Sequence, residues 1–298
     1  MPIALQGMGI ELRQDEPLRA HTSLGIGGPA RMFALPRNER EVQALLQFAR
    51  DKDLRVLVLG GGTNLLVADS PLDALVLSTE ALRGTETLQE DSEEVLLRVA
   101  GGHSLKSFLS WCLRRGLSGL EALAGIPGTV GGAVKGNAGA FGVEVSQCLR
   151  KVCLLDAGEG LRHLQAQAVG FGYRRSGISD EQVVLCAEFS LKRMPQRELK
   201  ERFLRYFSQK ERTQPLGERS AGCVFKNPPG ASAGELLEAV GLKGYRIGDI
   251  QVSPRHANFF INLGKGRAED FLRLIEEAKQ RVLKSFALEL QLEIRLWS

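Results

Sequence analysis

The sequence predicts an α+β fold built in three consecutive parts, and three observations carry that prediction. An amphipathic helical pattern at 39–50 is followed by an apolar run that empties into three glycines. A second series of strand and helix patterns follows from residue 95, and a long helical pattern near the C-terminus precedes a strictly alternating segment. No internal repeat or low-complexity tract interrupts this order.

Asn38-Glu-Arg-Glu41 resembles a capping box, and Val42, Leu45, Leu46 and Ala49 recur at helical spacing behind it. Val56 to Leu59 is a short, β-branched apolar run, read as a strand buried on both faces. Ala74 to Leu77 reads as another strand and closes the first part near residue 80. The second part opens with the strand 95–100. Its helix is capped at Ser104, presents Leu105, Phe108, Leu109, Cys112 and Leu113 on one face, and stops at Gly116. Strands at 151–155 and 183–191 complete it. A charged helix over 197–210, with Leu199, Phe203, Tyr206 and Phe207 inward, leads to the third part. There Ser232-Ala-Gly-Glu235 caps a helix that runs through Val240 to Gly241. A strand at 257–263 and a helix at 268–285 follow. Leu288 to Leu296 alternates, so its leucines and isoleucine are expected inward and Glu289, Gln291, Glu293 and Arg295 outward.

Glycine is concentrated in three places. Gly119-Leu-Glu-Ala-Leu-Ala-Gly-Ile-Pro-Gly-Thr-Val-Gly-Gly-Ala-Val-Lys-Gly-Asn-Ala-Gly-Ala-Phe-Gly142 is denser in glycine than turns require. Gly60-Gly61-Gly62 precedes Thr63 and Asn64, and Gly25, Gly27 and Gly28 form a third patch. Glycine weakens helices and strands, so such density implies backbone brought close to a partner, and loop amides of this kind hold anions. No Lys-Ser/Thr pair follows the glycines, and the G-x-G-x-x-G spacing is absent, so neither a Walker loop nor a Rossmann fingerprint is present. Three such loops point to an extended ligand whose diphosphate lies between them.

Composition bounds the alternatives. The 298 residues leave room for two or three packed units, and 43% hydrophobic with 25% charged residues is ordinary for a globular protein. No apolar run approaches the roughly 18 residues of a membrane span, and no signal peptide is recognisable. The net charge of +4 is mild and no basic block carries interleaved aromatics, so neither a membrane nor a nucleic-acid partner is expected. Five cysteines (112, 148, 153, 186 and 223) without a Cys-x-x-Cys are the pattern of reduced thiols, which places the protein in the cytoplasm. Cys112, Cys153 and Cys186 sit in apolar patterns and read as core residues, whereas Cys223 stands at a loop-to-strand edge. The four histidines have no ligand spacing, so no metal is expected.

The motifs Leu24-Gly-Ile-Gly-Gly-Pro-Ala30, Leu59-Gly-Gly-Gly-Thr-Asn-Leu-Leu66, Gly119 to Gly132, Asn137-Ala-Gly139, Phe171-Gly-Tyr-Arg-Arg-Ser176, Gly222-Cys-Val-Phe-Lys-Asn-Pro228 and Val252 to Phe259 occur in one order. In that order they resemble the UDP-N-acetylenolpyruvoylglucosamine reductase family, flavoenzymes of bacterial cell-wall precursor synthesis. The resemblance covers about residues 20 to 295. The short stretch between Tyr173 and Gln214-Pro215 is similar to the family type without a substrate-lid insertion. The fold it implies is a two-subdomain FAD-binding module of the PCMH/VAO type (1–80 and 81–196) followed by a C-terminal α+β substrate-binding domain (197–298).

The implied reaction is reduction of an enolpyruvyl ether to a lactyl ether on a nucleotide sugar. NADPH reduces non-covalently bound FAD, and flavin N5 then delivers hydride to the terminal carbon of the double bond. Charge left beside the carboxylate calls for a cation or hydrogen-bond donor there and a proton source at the neighbouring carbon. By resemblance Arg174 supplies the cation, Cys223 stands at the family's proton-donating serine, and Glu293 is the glutamate of the C-terminal strand. On pattern alone Glu293 is one of four polar residues on a solvated face, and Leu292 stands where the family often has proline. The cofactor residues implied are Gly60, Gly61, Gly62, Thr63, Asn64, Leu65, Gly125, Ile126, Pro127, Gly128, Gly131, Gly132, Asn137 and Gly139. The substrate residues implied are Tyr173, Lys226 and Asn227. Gly101-Gly-His-Ser104 is read as a helix start, so no covalent flavin bond at His103 is expected. Two other classes stay open: an oxidase or dehydrogenase on the same module, and a non-catalytic nucleotide-binding protein. The first has no use for the Gly222–Pro228 motif or Glu293, and the second has none for Arg174, Cys223 and Glu293. A monomer is the default expectation.

Overall fold

The computed structural model describes residues 9–298, so the first eight residues of the expected first subdomain lie outside the described part. The chain forms two compact units. The first takes the described residues up to Gln14, Arg31–Gly61 and Asp73–Gln209; the second takes Asp15–Ala30, Gly62–Leu72 and Lys210–Ser298. These units do not follow the expected linear cuts at 80/81 and 196/197. Pairing between residues far apart in sequence draws two early segments into the C-terminal unit, and periodicity cannot report such pairing.

Two sheets contribute most of the first unit. One orders Glu11–Pro17, Pro29–Leu35, Leu72–Ser78 and Arg55–Leu59, the last two parallel with Arg55 opposite Ala74 and Leu59 opposite Ser78. The strand Arg55–Leu59 is therefore an edge strand. Its Val56 and Val58 are half-buried, whereas Ala74–Ser78 beside it is buried throughout. The expectation of burial on both faces thus belongs to the neighbour. The helix Glu39–Asp51 starts at Asn38, whose side chain accepts from the Glu41 amide at 3.0 Å, and it buries Val42, Leu45, Leu46, Phe48 and Ala49. That face packs with Leu75 and Leu77 of this sheet and with Leu155, Val183 and Leu185 of the next.

The second sheet orders Gly160–Gln165, Leu149–Asp156, Val183–Arg193, Glu94–Ala100 and Thr85–Glu90, with Leu117–Ser118 added beside Val183–Arg193. The helix Leu105–Arg115 is capped by Ser104 and closed by Gly116 in the left-handed region (φ 67°), where a residue without Cβ is favoured. With Val130–Lys135 it covers a core that includes Phe108 and Phe189, both at most 2% exposed. Burying one such phenylalanine stabilises by about 1.5–3 kcal/mol.

The second unit carries an antiparallel sheet in the order Ser220–Cys223, Phe259–Asn262, Ile250–Val252, Arg246–Ile247. The helix Ala268–Phe286 lays Phe271, Leu274, Ile275, Ala278 and Val282 against it, joined by Leu237 of the helix Ala233–Ala239 and by Leu24, Ile26 and Leu66. The alternating C-terminal segment is not one continuous strand. Phe225 and Leu292 form a single antiparallel bridge, and only Arg295–Trp297 is a strand, parallel to Leu65–Val67. Its hydrogen bonds go first to one partner and then to another, so inward alternation holds to Ile294 and Leu296 is 44% exposed.

Candidate active site

The glycine loops come together in the first unit. A Cβ on Gly61 would lie 2.7 Å from the Cα of Gly128, and one on Gly60 would lie 2.8 Å from Thr129 Oγ1. Only glycines allow this approach of two backbones. The amides of Gly60, Gly61, Gly128 and Thr129 donate no hydrogen bond among the described residues. Those of Gly62, Thr63 and Asn64, next along the chain, likewise donate none. Backbone N–H groups left without acceptors in close-packed glycine loops fit an anionic diphosphate, so the chain's residues suit FAD. Thr129 escaped the sequence reading. It caps the helix Val130–Lys135 by accepting from the Gly132 amide, and a threonine just before Val-Gly-Gly was the available signal.

Other expected cofactor residues have structural tasks. Gly131 donates its amide to Gly101 O at 2.7 Å, and a Cβ there would meet that oxygen at 2.9 Å and Val184 Cβ at 3.2 Å. Its requirement for glycine comes from helix-on-sheet packing. Leu65 is 5% exposed and pairs with Arg295. The Asn64 side chain donates to Glu293 O at 3.1 Å, and its carbonyl accepts from the Arg295 amide. Ile126 is half-buried against the second sheet's core, and Pro127 is exposed beside the half-buried Gly125. Asn137 is fully buried with its side-chain amide hydrogen-bonded to protein.

Arg174 sits in a two-residue turn with Tyr173. Gly172 and Arg175 exchange both backbone hydrogen bonds, at 3.0 and 3.1 Å. Arg174 has φ 53°, a left-handed conformation that costs a non-glycine residue roughly 1–2 kcal/mol. Its Nη2 donates to Gly139 O at 2.7 Å, and its guanidinium carbon is 5.3 Å from the centre of the Tyr173 ring. Tyr173 is 48% exposed.

Cys223 and Glu293 lie in the second unit on neighbouring chain segments. The Glu293 amide donates to Val224 O, and the Lys226 amide donates to Gln291 O, both at 2.8 Å. Both Cys223 and Glu293 are half-buried, and Cys223 follows Gly222, which has φ 79°. The Lys226 ammonium makes no hydrogen bond or ion pair among the described residues, so it is available to an anion. Asn227 Oδ1 accepts from the Ala233 amide at 3.0 Å and helps start that helix. Of the residues expected at the site, Cys223, Lys226, Asn227 and Glu293 fall in one unit, and Tyr173 and Arg174 in the other.

The remaining titratable groups separate by burial. No disulfide joins the five cysteines. Burial drives the Cys112 thiol far upward and pushes Cys148 up to about 11. Cys153 faces Cys186 across paired strands, and that contact together with burial raises Cys153. His103 precedes the capping Ser104 and donates its amide to Ala100 O, as a helix-start residue does; burial and then Arg83 lower its pKa. No group of three or more metal-ligating side chains occurs among the described residues. Nor is any helix among them long and apolar enough to cross a membrane.

Comparison with known proteins converges on one family. Residues 214–297 match the C-terminal domain of UDP-N-acetylenolpyruvoylglucosamine reductase, and residues 30–165 match an FAD binding domain. The UDP-N-acetylenolpyruvoylglucosamine reductase of Syntrophobacter fumaroxidans is 41% identical over 292 residues, covering 97% of this chain and 84% of its own. That of Syntrophus aciditrophicus is 38% identical over 282 residues, covering 95% and 90%. The crystal structure of the Thermus caldophilus UDP-N-acetylenolpyruvylglucosamine reductase superposes with a TM-score of 0.81 at 35% identity, covering 97% of this chain and 99% of that one. A glucooligosaccharide oxidase from Acremonium strictum, 14% identical with a TM-score of 0.51, covers 94% of this chain and 57% of its own, and shares the fold alone.

Proposed function

The chain belongs to the UDP-N-acetylenolpyruvoylglucosamine reductase family, and on that premise we propose a chemical role for each of Arg174, Cys223 and Glu293. The enzyme reduces the enolpyruvyl ether of UDP-N-acetylglucosamine to UDP-N-acetylmuramate in peptidoglycan precursor synthesis, with FAD as cofactor and NADPH as reductant. When bound, FAD supplies the hydride chemistry of the reduction.

The amides of Gly60, Gly61, Gly128 and Thr129 hold the cofactor's diphosphate. The Arg174 guanidinium grips the substrate carboxylate through two parallel N–H bonds and stabilises negative charge developing beside it. Cys223 Sγ–H gives its proton to the carbon next to that carboxylate. Glu293 brings the carboxyl group of the C-terminal segment to the same second half-reaction, the reduction of the enolpyruvyl substrate. Lys226 offers a point charge to the substrate's anionic groups, while Tyr173 presents an exposed ring beside Arg174. A cytoplasmic monomer is the working form, in keeping with a cysteine set that contains no Cys-x-x-Cys.

The observation that supports this reading most is Arg174, a non-glycine residue kept in a left-handed turn with its guanidinium anchored on a neighbouring carbonyl. Strain of this kind persists where the surroundings over-determine it, and it collects at functional sites. The purified protein is expected to be yellow, to release free FAD on heating, and to oxidise NADPH rapidly only with the enolpyruvyl UDP-sugar present. Arg174→Lys replaces a planar fork by a point charge and is expected to lower kcat/KM by at least about 10²-fold. A colourless protein that takes up no FAD sinks the cofactor assignment, and full turnover in Arg174→Lys removes that residue from catalysis.

A further inference from the structure

We propose that Asn137 and Glu144 are positioning residues that seat the guanidinium of Arg174. The proposal rests on the reading of Arg174 as the residue that grips the substrate carboxylate.

Asn137 is 0% exposed and its side chain is engaged on three sides. Nδ2 donates to Gly172 O at 3.0 Å and to Glu144 Oε2 at 2.7 Å, while Oδ1 accepts from the Ser146 amide at 3.2 Å. A carboxylate only accepts, so Glu144 fixes which end of the Asn137 amide points toward it and which toward Ser146. Gly172 O, which also accepts from the Arg175 amide, is the first carbonyl of the turn that carries Arg174. Asn137 therefore holds that turn from beneath. It is itself in the left-handed region, at φ 44°, where asparagine is tolerated better than most residues.

The other end of the arginine is fixed by the same hairpin. Gly139–Ala140 pairs with Val143–Glu144, so Glu144 stands directly opposite Gly139. Arg174 Nη2 donates to Gly139 O at 2.7 Å. A Cβ on Gly139 would lie 2.8 Å from Val143 O, 2.9 Å from Arg174 Nη1 and 2.9 Å from Glu144 Cγ. No side chain fits there, so the missing Cβ is the space through which the guanidinium passes. The contacts close a ring. It runs from the guanidinium to the Gly139 carbonyl, through the hairpin to the Glu144 carboxylate, on to the Asn137 amide, and back through Gly172 to the arginine's own turn. Every non-covalent link in it is a hydrogen bond, so the ring ties the arginine's turn and its guanidinium to the same hairpin. Asn137 and Gly139, expected from sequence to touch the cofactor, thereby acquire a different task.

The test uses the FAD-loaded enzyme and the variants Asn137→Ala, Glu144→Ala and Glu144→Gln, with Arg174→Ala as background. Asn137→Ala is expected to keep its FAD and its rate of flavin reduction by NADPH, and to slow reoxidation by the enolpyruvyl UDP-sugar by roughly 10²-fold, the effect of misplacing a catalytic group by about 1 Å. Glu144→Ala should behave alike, whereas Glu144→Gln, whose amide oxygen still accepts from Asn137, should recover most of the rate. In the Arg174→Ala background the Asn137 substitution should add no further loss. Loss of FAD, or equal slowing of both half-reactions, would overturn the proposal and return Asn137 to the cofactor. Hydrogen–deuterium exchange over residues 172–175 provides the arm independent of turnover. Faster exchange in Asn137→Ala or Glu144→Ala supports the seat even if Arg174→Lys shows the arginine to be non-catalytic, and unchanged exchange refutes it. If Asn137→Ala does not fold, the half-buried Glu144 carries the same measurements with the same outcomes.

Discussion

A thiol at position 223 can act as an acid only while it keeps its proton. Thiols as a class are several units more acidic than hydroxyls, so cysteine is chemically a readier proton source than the serine usual in the family. Cys223→Ala is expected to leave flavin reduction by NADPH nearly intact, because no substrate is protonated in that step. Reoxidation by the enolpyruvyl substrate should slow by at least about 10²-fold, and Cys223→Ser should restore much of it. Rapid mixing separates the two half-reactions, and equal slowing of both would leave Cys223 as a packing residue. The sequence could nominate these residues because their motifs are local. The links from Asn64 to Glu293 and from Asn137 to Gly172 were not, since they join residues 229 and 35 positions apart.

The glycine loops act as elements whose backbones must approach, and the structure separates glycines by what they meet. A Cβ on Gly61 collides with backbone of the facing loop, whereas one on Gly132 makes only ordinary contact with Thr129 Oγ1 at 3.4 Å and otherwise faces solvent. Gly61→Val is therefore expected to leave the protein without bound FAD. Gly132→Ala should keep the cofactor and raise stability by up to about 1 kcal/mol, since alanine restricts the unfolded chain and suits a helix. Flavin absorbance after gel filtration and the thermal midpoint check both. FAD lost from Gly132→Ala would mean that the helix start itself contacts the cofactor. Gly131 is an unsuitable probe, because any Cβ there presses on Gly101 and Val184 and disturbs the helix's seat on the sheet. Sequence alone gave all of these glycines one meaning, for density does not say which neighbour each approaches.

At the scale of the molecule, stability is tied to histidine in the second unit. His256 Nδ1 accepts from the Asn258 amide at 3.2 Å, and its ring packs edge-on against Phe259. Burial, and then the charge of Lys243, lower its pKa. A base whose folded pKa lies below its unfolded value binds fewer protons when folded. Stability is then full above the unfolded histidine value of about 6.5 and declines as pH falls below it. The urea midpoint should drop between pH 7.5 and 5.5, and His256→Gln, which still offers an acceptor to Asn258, should drop less. Identical declines would exclude His256 as a source of the acid sensitivity.

The sequence by itself determined the elements, the glycine loops, the candidate catalytic residues and the family, because periodicity, caps and motifs are written in neighbouring residues. The helices Glu39–Asp51, Leu105–Arg115 and Ala268–Phe286 begin and end within a residue or two of where their patterns place them. Only the tertiary structure decided that 15–30 and 62–72 belong with the C-terminal unit, that Arg55–Leu59 is an edge strand, and that the last alternating segment divides its bonds between two partners. Those outcomes rest on backbone hydrogen bonds between distant residues. Such bonds use the N–H and C=O that every residue but proline carries alike, and so leave no mark in the order of side chains.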